Sequence, residues 1–206
     1  MSKTAEFLEA IEQGKNIALI GRSGAGKTTI LNRLRSGEFG KTWNTALIPQ
    51  DIDASLNPRI SCCRTIDATG SLSDSELAQL GLSPALVAKK PSMLSGGQRA
   101  RVGVARAVAL HADVILADEA LSHLDTDTAS VVGEYLKRYP SPVILVTHNL
   151  EAAANWADIW FFVDKKPEQV GILAECGPGP ALWNTEGAYP GRASLVEAYK
   201  ELEGKG

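Results

Sequence analysis

The sequence predicts an α/β fold: a mostly parallel sheet flanked by helices. Two patterns and one loop point there. Short apolar runs recur along the chain: NIALI (16–20), TALIP (45–49), DVILAD (113–118), PVILVTH (142–148) and DIWFFV (158–163). Runs without polar alternation suit strands covered on both faces. Helical stretches separate them over 28–35, 97–110, 126–139 and 150–157. Strands alternating with helices imply parallel pairing. The third sign is GRSGAGKT, a glycine-rich loop placed after the first strand and before the first helix.

That loop matches the phosphate-binding pattern G-x-x-x-x-G-K-[ST] in full. Gly21, Arg22, Ser23, Gly24, Ala25 and Gly26 would curl backbone N–H groups around phosphates. Lys27 would reach the β- and γ-phosphates, Thr28 would hold Mg²⁺, and Thr29 follows at the helix start. The loop alone says only nucleotide phosphates, since kinases and GTPases use it too; the fold it fits is that of a P-loop NTPase. VILADE then ends a strand on Asp118 and Glu119. Four apolar residues before a carboxylate suit a buried site facing phosphates. Asp118 would organise Mg²⁺ and its waters, and Glu119 would polarise an attacking water as general base. His148 ends the next strand, where it could touch the γ-phosphate. A stretch that needs its own explanation is SMLSGGQRARVGVARA (92–107). Ser95, Gly96 and Gly97 before a basic helix would make an anion nest.

In composition the chain is ordinary. With 206 residues it can hold one sizeable core or two unequal lobes. A net charge of −3 gives no electrostatic case for direct binding of nucleic acid. No apolar run approaches the roughly 18 residues of a membrane span. The acidic, amphipathic start MSKTAEFLEAIEQGK is unlike a signal peptide. A cytoplasmic protein is therefore expected, one that reaches a membrane only through a partner. Cys62, Cys63 and Cys176 form no C-x-x-C and read as reduced structural thiols. His111, His123 and His148 show no paired spacing, so a dedicated metal cage is not expected.

Taken together, the motifs resemble the ATP-binding cassette (ABC) ATPase family. LSGGQ (94–98) matches that family's signature without a substitution. The phosphate loop, Gln50 at the end of ALIPQ, the signature, VILADE, SHLD (122–125) and His148 follow in the family's order. The resemblance implies ATP and Mg²⁺ as ligands and a second cassette as partner. Two cassettes would pack head to tail. Ser95, Gly96, Gly97 and Gln98 of one would then cap the γ-phosphate held by the other. It also implies that Gln50 senses that phosphate and joins Thr28 and Asp118 at the metal, and that Asp125 lies at the dimer seam. The run QDIDASLNPRI and the tail beyond 171 are similar to the oligopeptide, dipeptide and nickel importer branch. A membrane permease partner is implied, with the chain peripheral at the inner face of the membrane.

One ABC domain over 1–206 is expected, with a RecA-like core at 1–50 and 93–177. A helical lobe would occupy 51–92, and a tail with a helix at 192–202 would close the chain. Two departures from the family matter. The residues before Gly21 look helical, where relatives carry strands and an adenine-stacking aromatic; Phe7 reads as core. From Lys27 to Gln50 is only 23 positions, too few for the family's hairpin region. Both losses fall on the antiparallel β-lobe, which is therefore expected to be reduced or absent. Ala120 stands where the family often has Pro. Three functions stay open: a transporter engine, a soluble ATPase that remodels another enzyme complex, and a regulatory module that no longer turns over.

Overall fold

The computed structural model describes residues 3–121, 124–148, 153, 156–166 and 169–178. The helix expected at 192–202, most of that at 150–157, and Ser122 lie outside them. The chain divides into two compact units, residues 1–42 with 144–206, and residues 43–143.

The first unit is built on strand β1 (Ile17–Ile20), which is buried along its whole length. It pairs in parallel with β4 (Val143–Thr147) through Ile17↔Ile144, and with β5 (Ile159–Lys166) through Ile17↔Ile159. A strand with neighbours on both sides and both faces covered needs an unbroken apolar run, which is what IALI supplies. Strand β6 (Gln169–Pro178) closes antiparallel on β5. Sequence reading did not single out β6, although QVGILAEC places Val170, Ile172, Ala174 and Cys176 at a period of two.

Helix α1 (Lys3–Glu12) buries Phe7, Ala10 and Ile11, one stripe at helical spacing. Phe7 is 0% exposed and meets Phe161 and Phe39 edge-on, at ring-centroid distances of 5.5 and 6.2 Å. It is a core residue, as its position on a helix implies. Helix α2 (Lys27–Arg35) buries Ile30, Leu31 and Leu34 in the same manner. Residues 36–44, between α2 and the next strand, fold as turns and coil with no strand. Arg33 lies over Phe39 at 5.1 Å, and Lys41 pairs with Glu12 at 2.6 Å. Among the described residues up to 44, the elements are two helices, the single strand β1 and a turn segment, with no antiparallel strand pair where the β-lobe was expected to be reduced or absent.

The second unit pairs β2 (Thr45–Ile48) in parallel with β3 (Val114–Asp118), Thr45 opposite Val114. Residues 51–92 carry only short helices: α3 (Cys62–Asp67), α4 (Asp74–Gln79) and α5 (Pro84–Val87). Each is far below the roughly 12 residues that give a helix stability of its own in water. Each is capped by a serine, Ser61, Ser73 or Ser83, whose hydroxyl accepts from the third amide of the helix. Cys62 is buried and Cys63 exposed, and both are free thiols. The long elements are α6 (Gly96–Val108) and α7 (Thr126–Lys137). Helix α6 buries Ala100, Val102, Gly103, Val104, Ala105, Ala107 and Val108. Such small side chains let neighbouring elements approach its backbone.

Phe7→Ala should lower unfolding free energy by about 3–5 kcal/mol, as large-to-small aromatic changes in a core do. Denaturant unfolding followed by tryptophan fluorescence measures it. A loss under about 1 kcal/mol would mean that α1 is not part of the core.

Candidate nucleotide-handling site

The phosphate loop lies wholly in the first unit. Gly24 and Gly26 have φ of 77° and 98°, backbone that favours glycine. Gly26 stands at the N-cap of α2 and, lacking a side chain, makes no side-chain hydrogen bond to the helix start. Arg22, Ser23, Gly24 and Thr28 are exposed, while Thr29 is half-buried. Lys27 is 6% exposed, and its Nζ donates to the carbonyls of Gly21 and Arg22 at 2.8 and 3.1 Å. The ammonium is thus held inside its own loop. A glycine-lined loop leading into a helix start, with an interior ammonium, fits a polyphosphate well. His148 follows β4 in this unit and is exposed.

The second unit holds the carboxylates, Gln50 and the signature. Asp118 ends β3, and both it and Glu119 are half-buried. Glu119 has φ of 50°, the left-handed region. A non-glycine residue there costs roughly 1–2 kcal/mol, which the surroundings must offset. Its carboxylate accepts a hydrogen bond from Gln50 Nε2 at 3.4 Å. The glutamine at the end of one strand and the carboxylate just after its neighbour therefore meet.

Ser95 is the N-cap of α6. Its Oγ accepts from the Gln98 amide at 3.3 Å, and Gln98 Oε1 accepts from the Ser95 amide at 3.0 Å. This reciprocal capping box means the Gln98 side chain is engaged in holding the helix start. The two glycines differ. A Cβ on Gly97 would lie 2.4 Å from Thr128 Oγ1 and 3.0 Å from Asp125 Oδ2, whereas one on Gly96 meets only Arg99 Nη2 at 4.0 Å. Gly97 is required by close packing against α7. Gly96 is sterically open, and nothing in its own surroundings would meet a Cβ more closely than an ordinary contact.

Asp125 caps α7 by accepting from the Thr128 amide at 3.0 Å, and that bond holds its carboxyl below the usual carboxylate range. A cavity of about 790 Å³ opens here, lined among others by Gln50, Asp53, Ser95, Gly97, Arg101 and Asp125. Sequence reasoning named Gln50, Ser95, Gly97 and Asp125 in it. It missed Thr128, Asp53 and Arg101. Arg101 donates to the Gly97 carbonyl at 3.3 Å from one turn further along α6. Its place in the basic RAR run after the signature was the available signal.

Alanine at the two glycines should separate packing from ligand contact. Gly97→Ala should destabilise by about 1–3 kcal/mol, because Thr128 and the α7 cap must shift. Gly96→Ala should leave stability unchanged or raise it by up to about 1 kcal/mol, since alanine is the better helix former. Thermal unfolding of both variants checks this, and equal losses would mean the close approach at Gly97 is not what keeps it glycine.

Residues 41–122 match the ABC transporter family model. The chain is 36% identical over 182 residues to YjkB, an ABC transporter ATP-binding protein of Bacillus subtilis, covering 75% of this chain and 73% of that protein. It is 28% identical over 236 residues to the oligopeptide transport ATP-binding protein OppF of Streptococcus pyogenes, covering 95% of this chain and 74% of the relative. That second alignment is longer than the chain itself, so OppF carries segments absent here. Among solved structures, the dimeric cassette MJ0796 in a post-hydrolysis state with ADP and phosphate superimposes with a TM-score of 0.64. The match covers 82% of this chain and 87% of that one at 23% identity, so it speaks to the fold. The chain belongs to the ABC transporter ATP-binding protein family.

Proposed function

We propose that this chain is the ATP-binding, ATP-hydrolysing subunit of an ABC transporter and works as a head-to-tail nucleotide-sandwich dimer. The observation that carries it is the signature helix start. There the cap is complete, Gly97 is accounted for by packing, and Gly96 is left open to an external ligand. The phosphates bind to the amides of the loop at 21–28 and to Lys27. Thr28 in the first unit, and Gln50 and Asp118 in the second, are the candidates to hold Mg²⁺, which would neutralise charge on the phosphate oxygens. Glu119 takes a proton from water as its oxygen attacks the γ-phosphorus. The bond to the bridging oxygen breaks, and ADP and phosphate leave. His148 steadies the γ-phosphate, and Ser95 with the Gly96 and Gly97 amides caps it from the second copy. Asp125 lies at the seam between copies.

No described helix is long and apolar enough to cross a membrane. We therefore assign membrane association to a permease partner, as in the peptide-importer branch, and place the chain on the cytoplasmic face. One observation favours a second reading, a soluble ATPase that remodels another enzyme complex. It is the helix α1 and strand-free segment 36–44 standing in place of a β-lobe.

Glu119→Gln should keep ATP binding and slow Mg²⁺-dependent hydrolysis by about 100-fold or more, the range for loss of a general base. An unchanged turnover number would remove Glu119 from the role. The same variant, trapped with ATP, should co-purify with a polytopic membrane protein, while a soluble enzyme in its place would favour the second reading. Ser95→Arg should abolish turnover and spare ATP binding to the monomer; full activity at saturating ATP would contradict the sandwich.

A further inference from the structure

Arg99 stands one residue beyond the signature and outside every role given so far. Its guanidinium makes three hydrogen bonds. Nε and Nη2 grip Asp53 Oδ1 and Oδ2 at 2.8 Å each, and Nη1 donates to the Leu94 carbonyl at 2.8 Å. A planar fork on both oxygens of one carboxylate fixes direction as well as distance. Asp53 opens the 3₁₀ turn Asp53–Ser55, three positions after Gln50. Leu94 immediately precedes the capping serine.

The same turn is keyed to α6 by shape. Ile52 is 7% exposed, and a Cβ on Gly103 would lie 2.1 Å from Ile52 Cγ2. The 52–55 segment is thus seated against the α6 backbone and cannot slide along it. A continuous chain of contacts results: Glu119 to Gln50, three residues of backbone to Asp53, Asp53 to Arg99, and Arg99 to the carbonyl before Ser95.

Building on the ATPase reading above, we infer that Arg99 is a positioning residue. Through Asp53 it ties the Gln50–Glu119 pair to the signature nest. A rearrangement at Gln50 then reorients Ser95 and the Gly96 amide in the same chain. The pair is only part-covered, Arg99 at 29% and Asp53 at 55% side-chain exposure. Its contribution to stability is correspondingly small, which leaves geometry as its role.

Arg99→Ala and Asp53→Ala should each lower kcat by about 10- to 100-fold, the effect of a small misplacement of a reacting group. KM for ATP should stay within about twofold, since neither residue belongs to the loop at 21–28 assigned to ATP binding. Arg99→Lys should fall short of wild type because an ammonium cannot grip both oxygens. The exchanged double variant, Asp53→Arg with Arg99→Asp, should recover more activity than the sum of its singles allows. Folded variants with unchanged kcat, or strictly additive effects, would overturn the inference. Hydrogen exchange provides a readout independent of hydrolysis. Amides at 95–98 should exchange about 10-fold faster in Arg99→Ala than in wild type, while those in α7 stay the same. Unchanged exchange at 95–98 overturns the tie. Faster exchange at 95–98 in Arg99→Ala, with a wild-type chain that does not hydrolyse ATP, would sink the ATPase reading and leave the tie standing.

Discussion

The contact between the start of α6 and the start of α7 constrains the rest of the second unit. Gly97 and Thr128 approach so closely that a methyl group on the former would overlap the hydroxyl of the latter. Thr128 in turn is fixed by donating its amide to Asp125. Two helix N-termini, each with orphan amides to satisfy, are thereby locked together. One is capped by Ser95 with its reciprocal glutamine, the other by Asp125. With both caps drawn from within the chain, each helix start is set before any ligand arrives. Donors preorganised in this way would lose little on binding the phosphate proposed for them.

Glu119 provides the counterpart on the other side of Gln50. Its left-handed backbone is the kind of conformation that persists only where neighbours over-determine it. One of its partners is the Gln50 amide group. In the second unit, then, the candidate base, the glutamine and the signature are connected by named contacts rather than by proximity alone. The acidic side chains around the 790 Å³ cavity include Asp53 and Asp125, both held below the ordinary carboxylate range by hydrogen bonds, to Arg99 and to Thr128 respectively. Both stay ionised far below neutral pH. Their contribution is present above the unfolded carboxylate range and is lost as pH falls through their lowered folded values.

Much of this was legible in the sequence. The five apolar runs became strands because unbroken apolar stretches have few other stable fates in a sheet covered on both faces. The phosphate loop and signature declared themselves because glycine at fixed spacing carries a backbone requirement. The reduced β-lobe was legible from chain length alone, since 23 positions between Lys27 and Gln50 leave no room for a hairpin. What escaped was long-range. Strand β6 showed a period of two, but in a stretch read for its likeness to the importer tail. The Asp53–Arg99 pair spans 46 positions, and nothing local marks either residue as the other's partner. The reason for the second glycine also stayed hidden, because it lies in a hydroxyl on another helix. Sequence reasoning assigned the amides of both glycines to phosphate, and the packing adds a separate reason for Gly97 to lack a side chain.

The account's central claim is that the signature acts on nucleotide held by a second copy. The most direct test is specific ATPase activity against protein concentration, with light scattering on the same samples. The account predicts activity per chain that rises with concentration and follows the dimer fraction. Constant activity per chain from a species that scatters as a monomer would contradict it.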